Sequence, residues 1–526
     1  MSEHDRSGVP TRYGRRGFLE RLGVGAGALA LGGRASGASA APIAAGSARS
    51  QFVSTDTQHF GRLFPDLKQF AAANPGVTKS LLALGAQGGL LDARDDLSAG
   101  PVRLITDPSL SSNNPDNPAH TAGTTFVGQF IDHDVTFDTS STLGTPTEPL
   151  TSPNARTPAL DLDSVFGGGP AASPMLYDTG NDPAKLLIGF GGLFEDLPRL
   201  ADGTAIIGDP RNDENLVIAG LHCAFILFHN RAVDYARAHG ASAWQDAFAE
   251  ARRLTTWHYH WLVLNEFLPL FVGQALVDDV LAKGRSFYTV GLGQAFMPVE
   301  FQGACFRFGH SMVRPSYRAN LEGDNGNPFF GFIFDPSQNG SSAEPSDLRG
   351  GFRAPRRFIG WQTFFDFADG QVKHNKQIDT HLSTPLFTLP LGAIASHDQP
   401  TVLARRNLLR HLTWSMPSGQ SIAAAMGITP ISKQDLKELK PYGFDTSTPL
   451  WFYALKEAQL LEQGLHLGPV AGRIVAEVLI GLLQTDSGSY LVAQPSWQPT
   501  LQNPGPGFRM TDFLAYAHVD PTSRGQ

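Results

Sequence analysis

A chain of 526 residues with 41 Lys+Arg against 49 Asp+Glu carries a formal net charge of −8, a mild acidic balance that argues against a nucleic-acid-binding surface. Its hydrophobic share of 41% is ordinary for a soluble globular protein and, at this length, allows a large buried core in one domain or several. Two cysteines, Cys223 and Cys305, exclude a disulfide framework, and their apolar, helix-like settings predict buried free thiols.

The first 40 residues read as an export signal. Arg15-Arg16-Gly17-Phe18-Leu19 follows a polar, charged lead; a weakly hydrophobic run spans Leu22 to Gly32; Ala38-Ser39-Ala40 offers a small-residue cleavage site. This is the pattern of twin-arginine export, which carries folded proteins and predicts a periplasmic or extracellular mature chain. The run is too short and Gly-rich to anchor in a membrane, and no other segment approaches a transmembrane span. Residues 41–58 read as a linker and 59–520 as a single domain.

Short apolar pieces from Phe60 to Leu91 are broken by Pro65 and Pro75, and residues 92–120 are polar loop. A helix is predicted around Thr124–Asp138. In it Gln129, Asp132 and His133 sit at i, i+3 and i+4 and share one face, while Asp134 points away. A lone histidine there would read as a satisfied core residue. Three polar groups on an otherwise apolar turn are costly to bury, and the cluster shifts the balance towards a functional site. Residues 138–185 are loop-like. Helical patterns follow over Asp213–Ala238, from Trp244 to about Pro269, over 298–312, and over 400–427 and 432–485, with Ala454–Leu483 the longest. Residues 320–355 read as a long Gly/Asn/Ser-rich loop. No Val/Ile-rich alternation of any length appears. The fold class is therefore mainly α: a single large helical domain with long ordered loops and little sheet.

Polar constellations punctuate these helices: Gly128-Gln-Phe-Ile-Asp-His-Asp134, Gly208-Asp-Pro-Arg-Asn-Asp-Glu214 before a helix, Phe306-Arg-Phe-Gly-His310, and Arg406-Asn-Leu-Leu-Arg410. In this order they resemble the animal-type haem peroxidases of the peroxidase–cyclooxygenase superfamily, over roughly residues 60–515. Leu221-His222-x-x-Phe225, continuing to His229-Asn-Arg231, matches the helix after the second motif. The resemblance implies haem b with His310 as the iron ligand. It gives Asn407 the role of accepting from the ligand's other ring nitrogen, which fixes its tautomer; an amide accepts more weakly than a carboxylate. It makes His133 the proton shuttle to peroxide, Arg211 the stabiliser of the separating charge, and Gln129 the holder of a water or anion beside the iron. The implied product is a ferryl-type oxidised haem that takes electrons from a second, small donor. Asp132 and Glu214 match positions that form ester bonds to haem methyls in mammalian members, so one or two such links can form here. Asn215 stands where some relatives carry a methionine bonded to a haem vinyl, which excludes that link. Arg307 and Arg410 match propionate-pairing positions.

The resemblance also implies calcium. Thr157-Pro-Ala159-Leu-Asp161-Leu-Asp163 is similar to the family's calcium loop, offering a hydroxyl, a carbonyl from Ala159 and carboxylates, with Asp134 completing the shell of hard oxygen ligands. Other polar features read as structural: His222 and His229 as packing, Tyr259 and the nearby tryptophans as core. The Asn339-Gly-Ser341 sequon carries no weight beside a bacterial-type export signal. Leu412-Thr-Trp-Ser-Met-Pro-Ser-Gly-Gln420 departs from the mammalian pattern and gives the chain the look of a bacterial branch.

The function expected is reduction of hydrogen peroxide with oxidation of halide, thiocyanate or small phenolic or organic donors. One rival is a fatty-acid dioxygenase of the same superfamily, which uses a tyrosyl radical three residues before the proximal histidine; that position is Arg307 here. Another is a secreted haem-binding or adhesion module without turnover.

Overall fold

The computed structural model describes residues 58–323, 326–338 and 344–526. The expected export signal, the linker up to residue 57 and the Asn339–Ser341 sequon lie outside the described residues. Among the described residues, eight helices reach ten residues or more: α1 (Pro75–Leu84), α2 (Ala122–Val135), α3 (Leu216–Ala238), α4 (Trp244–Leu262), α5 (Gln274–Lys283), α6 (Leu403–Thr413), α7 (Leu450–Leu461) and α8 (Pro469–Thr485). Sheet is confined to small pieces, the largest a three-stranded arrangement in which Gln58–Gly61 lies between Pro153–Asn154 and Met297–Pro298. The architecture is thus mainly helical with long ordered loops.

Helix α3 forms the centre. Nearly every residue from Leu216 to Ile226 is buried, so it is apolar all round, and it packs most extensively on α4. It corrects one expectation: α3 is long and apolar enough to cross a membrane, but 83% of its most apolar window is buried inside the domain, as befits a core helix. Its first turn is capped by Asn215, whose side chain accepts from the amides of Val217 and Ile218. Helix α4 runs into a π-helical turn, Val263–Phe267, before Leu268–Val272.

Helix α2 has no side-chain cap; the Ala122 and Gly123 amides instead donate to the carbonyls of Lys373 and Phe364 at 2.7 and 2.9 Å. Gly123 is required by close packing, since a Cβ there would lie 2.4 Å from the Phe365 ring.

Two helical expectations are corrected. The segment 298–312 is not continuous: Val299–Gly303, Cys305–Arg307 and Gly309–Met312 are separate turns, interrupted at Ala304 with φ −140° and ψ −72°. The run Ala454–Leu483 is divided into α7 and α8 by a turn in which Gln463 and Gly464 have φ of 54° and 72°. Glu457 of α7 closes that break by accepting from the Val470 and Ala471 amides at the start of α8. Packing also continues past 520, where Arg524 donates to the Ile359 carbonyl and pairs with Glu195. Cys223 and Cys305 are free and buried.

Candidate active site

A cavity of about 250 Å³ opens between α2, the 210–215 turn, the 305–312 turns and α6. It is lined by Gln129, Asp132, His133, Arg211, Glu214, Arg307, His310 and Arg410, among others. Eight of the residues singled out in the sequence thus meet at one place. Asn407 stands just behind this lining, while Asp134 lies on the far side of α2.

On the α2 side, His133 Nδ1 is 2.8 Å from Asn212 Oδ1, so Nε2 is the ring nitrogen left for the cavity. Burial depresses the His133 pKa to about 4, with the neighbouring Arg211 adding to the effect, so the imidazole is neutral. Arg211 is held from behind. Asp209 begins the turn by accepting from the Arg211 amide, with Pro210 at its first position, and grips the guanidinium at Nε (3.0 Å) and Nη2 (2.8 Å). Nη2 also donates to the carbonyls of His133 (3.1 Å) and Thr136 (2.6 Å), and the guanidinium lies over the Phe137 ring at 4.3 Å. Nη1 remains, 3.9 Å from Asp132 Oδ2. Gln129 is clamped too: its amide donates to Glu214 at 3.2 Å and its carbonyl accepts from Asn215 at 3.3 Å. Burial raises the Glu214 pKa to about 8, so this carboxyl is mostly protonated at neutral pH.

On the opposite side, His310 Nδ1 is 2.8 Å from the Asn407 amide nitrogen, while Asn407 Oδ1 is buried without a partner. The expectation was the reverse, an amide oxygen accepting from Nδ1–H. Turning the amide over restores it at the same separation and pairs the orphaned oxygen, because the two ends of an amide are nearly isosteric. Burial lowers the His310 pKa to about 3, so the ring is neutral, as a metal-ligating imidazole must be. Asn407 and Arg410 share a face of α6 at i and i+3.

The arginines show what kind of ligand fits. Arg307 is pushed down to about 9 by burial and by the adjacent Arg410. Arg410 is lowered by burial, its Nε has no partner, and its nearest carboxylate is Asp138 at 3.5 Å. Two neighbouring guanidiniums facing an apolar-walled cavity, with Phe267, Phe306, Phe308, Leu386 and Leu389 in the lining, call for an anionic, largely flat apolar ligand. Haem, with its propionates, fits this donor set, and His310 would be the residue to hold its iron.

Behind α2, Asp134, Asp161 and Asp163 bring carboxylate oxygens within 4.8 Å of one another. Burial and the other two carboxylates push Asp134 well up; burial and Asp163 push Asp161 up to about 7. Asp163 is raised by burial although Arg156 stands 3.2 Å away. Asp134 also accepts from the Leu162 amide and the Ser164 hydroxyl, at 3.3 and 3.1 Å. The Thr157 amide donates to Asp163 at 3.4 Å, and Ala159 lies half-buried in the same turn, able to contribute only backbone. Three crowded carboxylates with raised pKa values suit a hard divalent cation such as calcium. The loop bearing Arg211 sits directly on this turn, since a Cβ on Gly208 would lie 2.5 Å from the Ser164 carbonyl.

Several residues at the site were not singled out as functional from the sequence. Asp209 and Arg156 form a fully buried ion pair at 2.9 Å that backs Arg211. Asn212 joins His133 to His222, donating to His222 Nδ1 at 3.0 Å; His222 is therefore not mere packing, as expected, but part of a hydrogen-bonded chain reaching the cavity. His229, by contrast, donates from Nε2 to the Ala184 carbonyl, 2.9 Å away. Arg406 also lines the cavity, tied to Asp398 at 2.9 Å. Asp209 alone carried a local signal, an acid two residues before the arginine in a Pro-initiated turn.

Residues 139–337 match the family model described as animal haem peroxidase. That span contains Arg211, Glu214, Arg307 and His310; Gln129–Asp134 precede it and Asn407 and Arg410 follow it. Mouse eosinophil peroxidase is 26% identical over 183 residues, 31% of this chain and 25% of that protein. Chorion peroxidase of Aedes aegypti is 30% identical over 177 residues, 30% of this chain and 22% of that protein. The chain thus spans about a quarter of the length of these relatives. The fold is shared with Peroxidase A from Dictyostelium discoideum, at a TM-score of 0.57 and 15% identity over 89% of this chain and 96% of that one. It is also shared with fatty acid alpha-dioxygenase of Arabidopsis thaliana, at 0.53 and 16% identity over 82% of this chain and 72% of that one.

Proposed function

We propose that the chain is a haem-dependent peroxidase, reducing hydrogen peroxide at the expense of a small electron donor, a reading supported by the match of residues 139–337 to the animal haem peroxidase family model. The observation that carries this reading is one cavity lined by two neutral imidazoles, His133 and His310, each tied by Nδ1 to a buried asparagine at 2.8 Å. One of them is a candidate ligand, and the other is a candidate base.

When bound, haem supplies a redox-active iron at which peroxide can be held and reduced. The rest falls to the chain's own side chains. His310 would hold the iron, with Asn407 accepting from its Nδ1–H, and Arg307 and Arg410 would receive the propionates. His133 Nε2 is free to take a proton from peroxide and return it to the departing oxygen, as water. The fixed cationic edge of Arg211 would favour the charge separation in a largely dry cavity. Gln129, clamped by Glu214 and Asn215, would present its amide without reorganising. Asp132 and Glu214 line the cavity and would be the residues to form ester links to the haem. Calcium at Asp134, Asp161 and Asp163, with Thr157 and Ala159, would brace α2 behind His133. The donor class proposed is halide, thiocyanate or a small phenol, and the site of action periplasmic or extracellular, through the twin-arginine segment.

The test is an absorption spectrum of the purified protein with and without peroxide, then acidified-solvent extraction. A Soret band that shifts with peroxide supports the enzyme, and haem retained by the protein supports the esters. A Soret band with no peroxide response, and no oxidation of iodide, bromide or a phenol, would leave a haem-binding module instead. Fatty-acid dioxygenation is disfavoured because, among the described residues, no tyrosine lines the cavity; oxygen uptake with linoleic acid and no added peroxide would reverse that ranking.

A further inference from the structure

The chain of hydrogen bonds behind His133 sets which ring nitrogen is a base. His133 Nδ1 lies 2.8 Å from Asn212 Oδ1, and Asn212 Nδ2 lies 3.0 Å from His222 Nδ1. All three residues are buried, Asn212 completely. An amide oxygen can only accept, so His133 must carry its proton on Nδ1 and offer the Nε2 lone pair to the cavity. An amide, however, can turn over. If Asn212 presented Nδ2 to His133 instead, the His133 proton would move to Nε2, and the nitrogen facing the cavity could no longer accept one. His222, standing on the first turns of α3, accepts the Asn212 Nδ2–H at its Nδ1, and turning the amide over would lose that bond unless His222 also moved its own proton from Nε2 to Nδ1. Its ring is itself packed edge-on to Phe130, with centroids 6.5 Å apart.

We propose that Asn212 and His222 are positioning residues that fix His133 in the Nδ1–H tautomer, Asn212 by accepting that proton and His222 by locking the orientation of the Asn212 amide. This rests on His133 being the base of the haem site. It places two residues outside the lining of the cavity in control of proton acceptance within it. The coupling is physical, through two hydrogen bonds, and it predicts that the two residues act as one unit.

The experiment uses the haem-loaded full chain and reads cyanide as well as peroxide. Hydrogen cyanide, like hydrogen peroxide, must surrender a proton to a distal base as it binds ferric haem, but it requires no turnover. Second-order rate constants for both are measured by stopped-flow Soret changes in wild type, Asn212→Leu, Asn212→Asp, His222→Phe and the Asn212→Leu/His222→Phe double variant. We expect Asn212→Leu to slow both reactions about 100-fold, the lower end of what a positioned base contributes. His222→Phe should slow them about twofold or more, since the amide then divides between two orientations and only one leaves Nε2 able to accept. Asn212→Asp, which can still accept from Nδ1–H, should stay near wild type, and the double variant should be no slower than Asn212→Leu.

Rates in Asn212→Leu within about twofold of wild type would overturn the proposal, as would strictly multiplicative losses in the double variant. If Asn212→Leu does not load haem, His222→Phe and Asn212→Asp decide by the same criteria: a slowed former beside an unimpaired latter supports the relay, and any other pattern refutes it. Failure of the peroxidase reading looks different: wild type would then bind cyanide but not respond to peroxide, and the cyanide series would still judge the relay.

Discussion

Replacing Asp209 by Asn removes the one carboxylate on which two buried cations converge. Asp209 is fully buried. Burial acts to raise its pKa, but Arg211 and Arg156 outweigh that and hold it well below the usual carboxylate range. It accepts from Arg156 Nε at 2.9 Å and from Arg211 through its amide, Nε and Nη2. In the Asn variant one oxygen remains, and an N–H faces a guanidinium. Breaking one side of a buried ion pair costs about 3–5 kcal/mol, a large part of the roughly 5–15 kcal/mol that holds a domain together. Because the native pKa is depressed, the stabilisation is present above the unfolded value near 3.9 and lost only as pH falls through the folded one. The deficit should therefore be constant between pH 6 and 8. Equilibrium urea unfolding at both pH values measures it. The same variant loosens Arg211, and loss of a preorganised charge stabiliser costs about 100- to 1,000-fold in rate, readable as peroxide-dependent Soret change. An Asp209→Asn protein with a wild-type unfolding midpoint and wild-type peroxide rate would refute this account of how Arg211 is held.

His310→Ala should lose haem on desalting, whereas His133→Ala should keep it and react with peroxide about 100-fold or more slowly; equal rates in wild type and His133→Ala would remove the base assignment. Calcium should stabilise the protein more at pH 8 than at pH 6. Without the ion, Asp161, raised to about 7 by burial and Asp163, is protonated and tolerated at low pH and becomes a destabilising charge as pH rises through that value, while the ion binds the ionised form; thermal midpoints in calcium and in EDTA at the two pH values check this, and a calcium increment that does not grow with pH counts against it. Glu457 is buried and raised to about 7, so its cost to stability builds as pH rises from the unfolded value near 4.5 to about 7 and is constant above that. Glu457→Gln keeps an oxygen for the Val470 and Ala471 amides and should be more stable than wild type at pH 8 by up to about 3 kcal/mol, with the advantage gone by about pH 4 in urea unfolding.

The helical fold was legible because long apolar periodicity survives tertiary context: α3 and α4 lie close to where spacing put them. What the periodicity could not show was where a helix stops inside an apolar run. In the run from Ala454 to Leu483 the breaks are marked only by Gly464 and by Gly468-Pro469, the proline taking the first position of α8, and apolar spacing continues across both. The segment 298–312 failed for the same reason. Its residues are apolar and helix-compatible, but the chain turns at Ala304, setting Arg307 and His310 on separate short turns that both line the cavity.

At the site, spacing could place side chains on a face but could not say what stands behind them. Gln129, Asp132 and His133 share a face of α2 by periodicity alone, and Asn407 and Arg410 share one on α6. The residues that hold them belong to other parts of the chain: Asn212 lies 79 positions from His133, and Asp209 lies 53 from Arg156. Such pairs are joined by the fold and leave no local trace. His222 was misread for a related reason, since a histidine on a buried apolar helix face is usually satisfied by backbone, as His229 is by Ala184. The two histidines sit seven residues apart on one helix in similar surroundings, and only the partner tells them apart: a carbonyl closes the bonding at His229, whereas an amide at His222 passes it on to a second imidazole at the cavity. Burial makes both rings neutral, with the His222 pKa near 3 and that of His229 near 4. Charge state therefore cannot separate the structural histidine from the positioning one, and the direction of hydrogen bonding can.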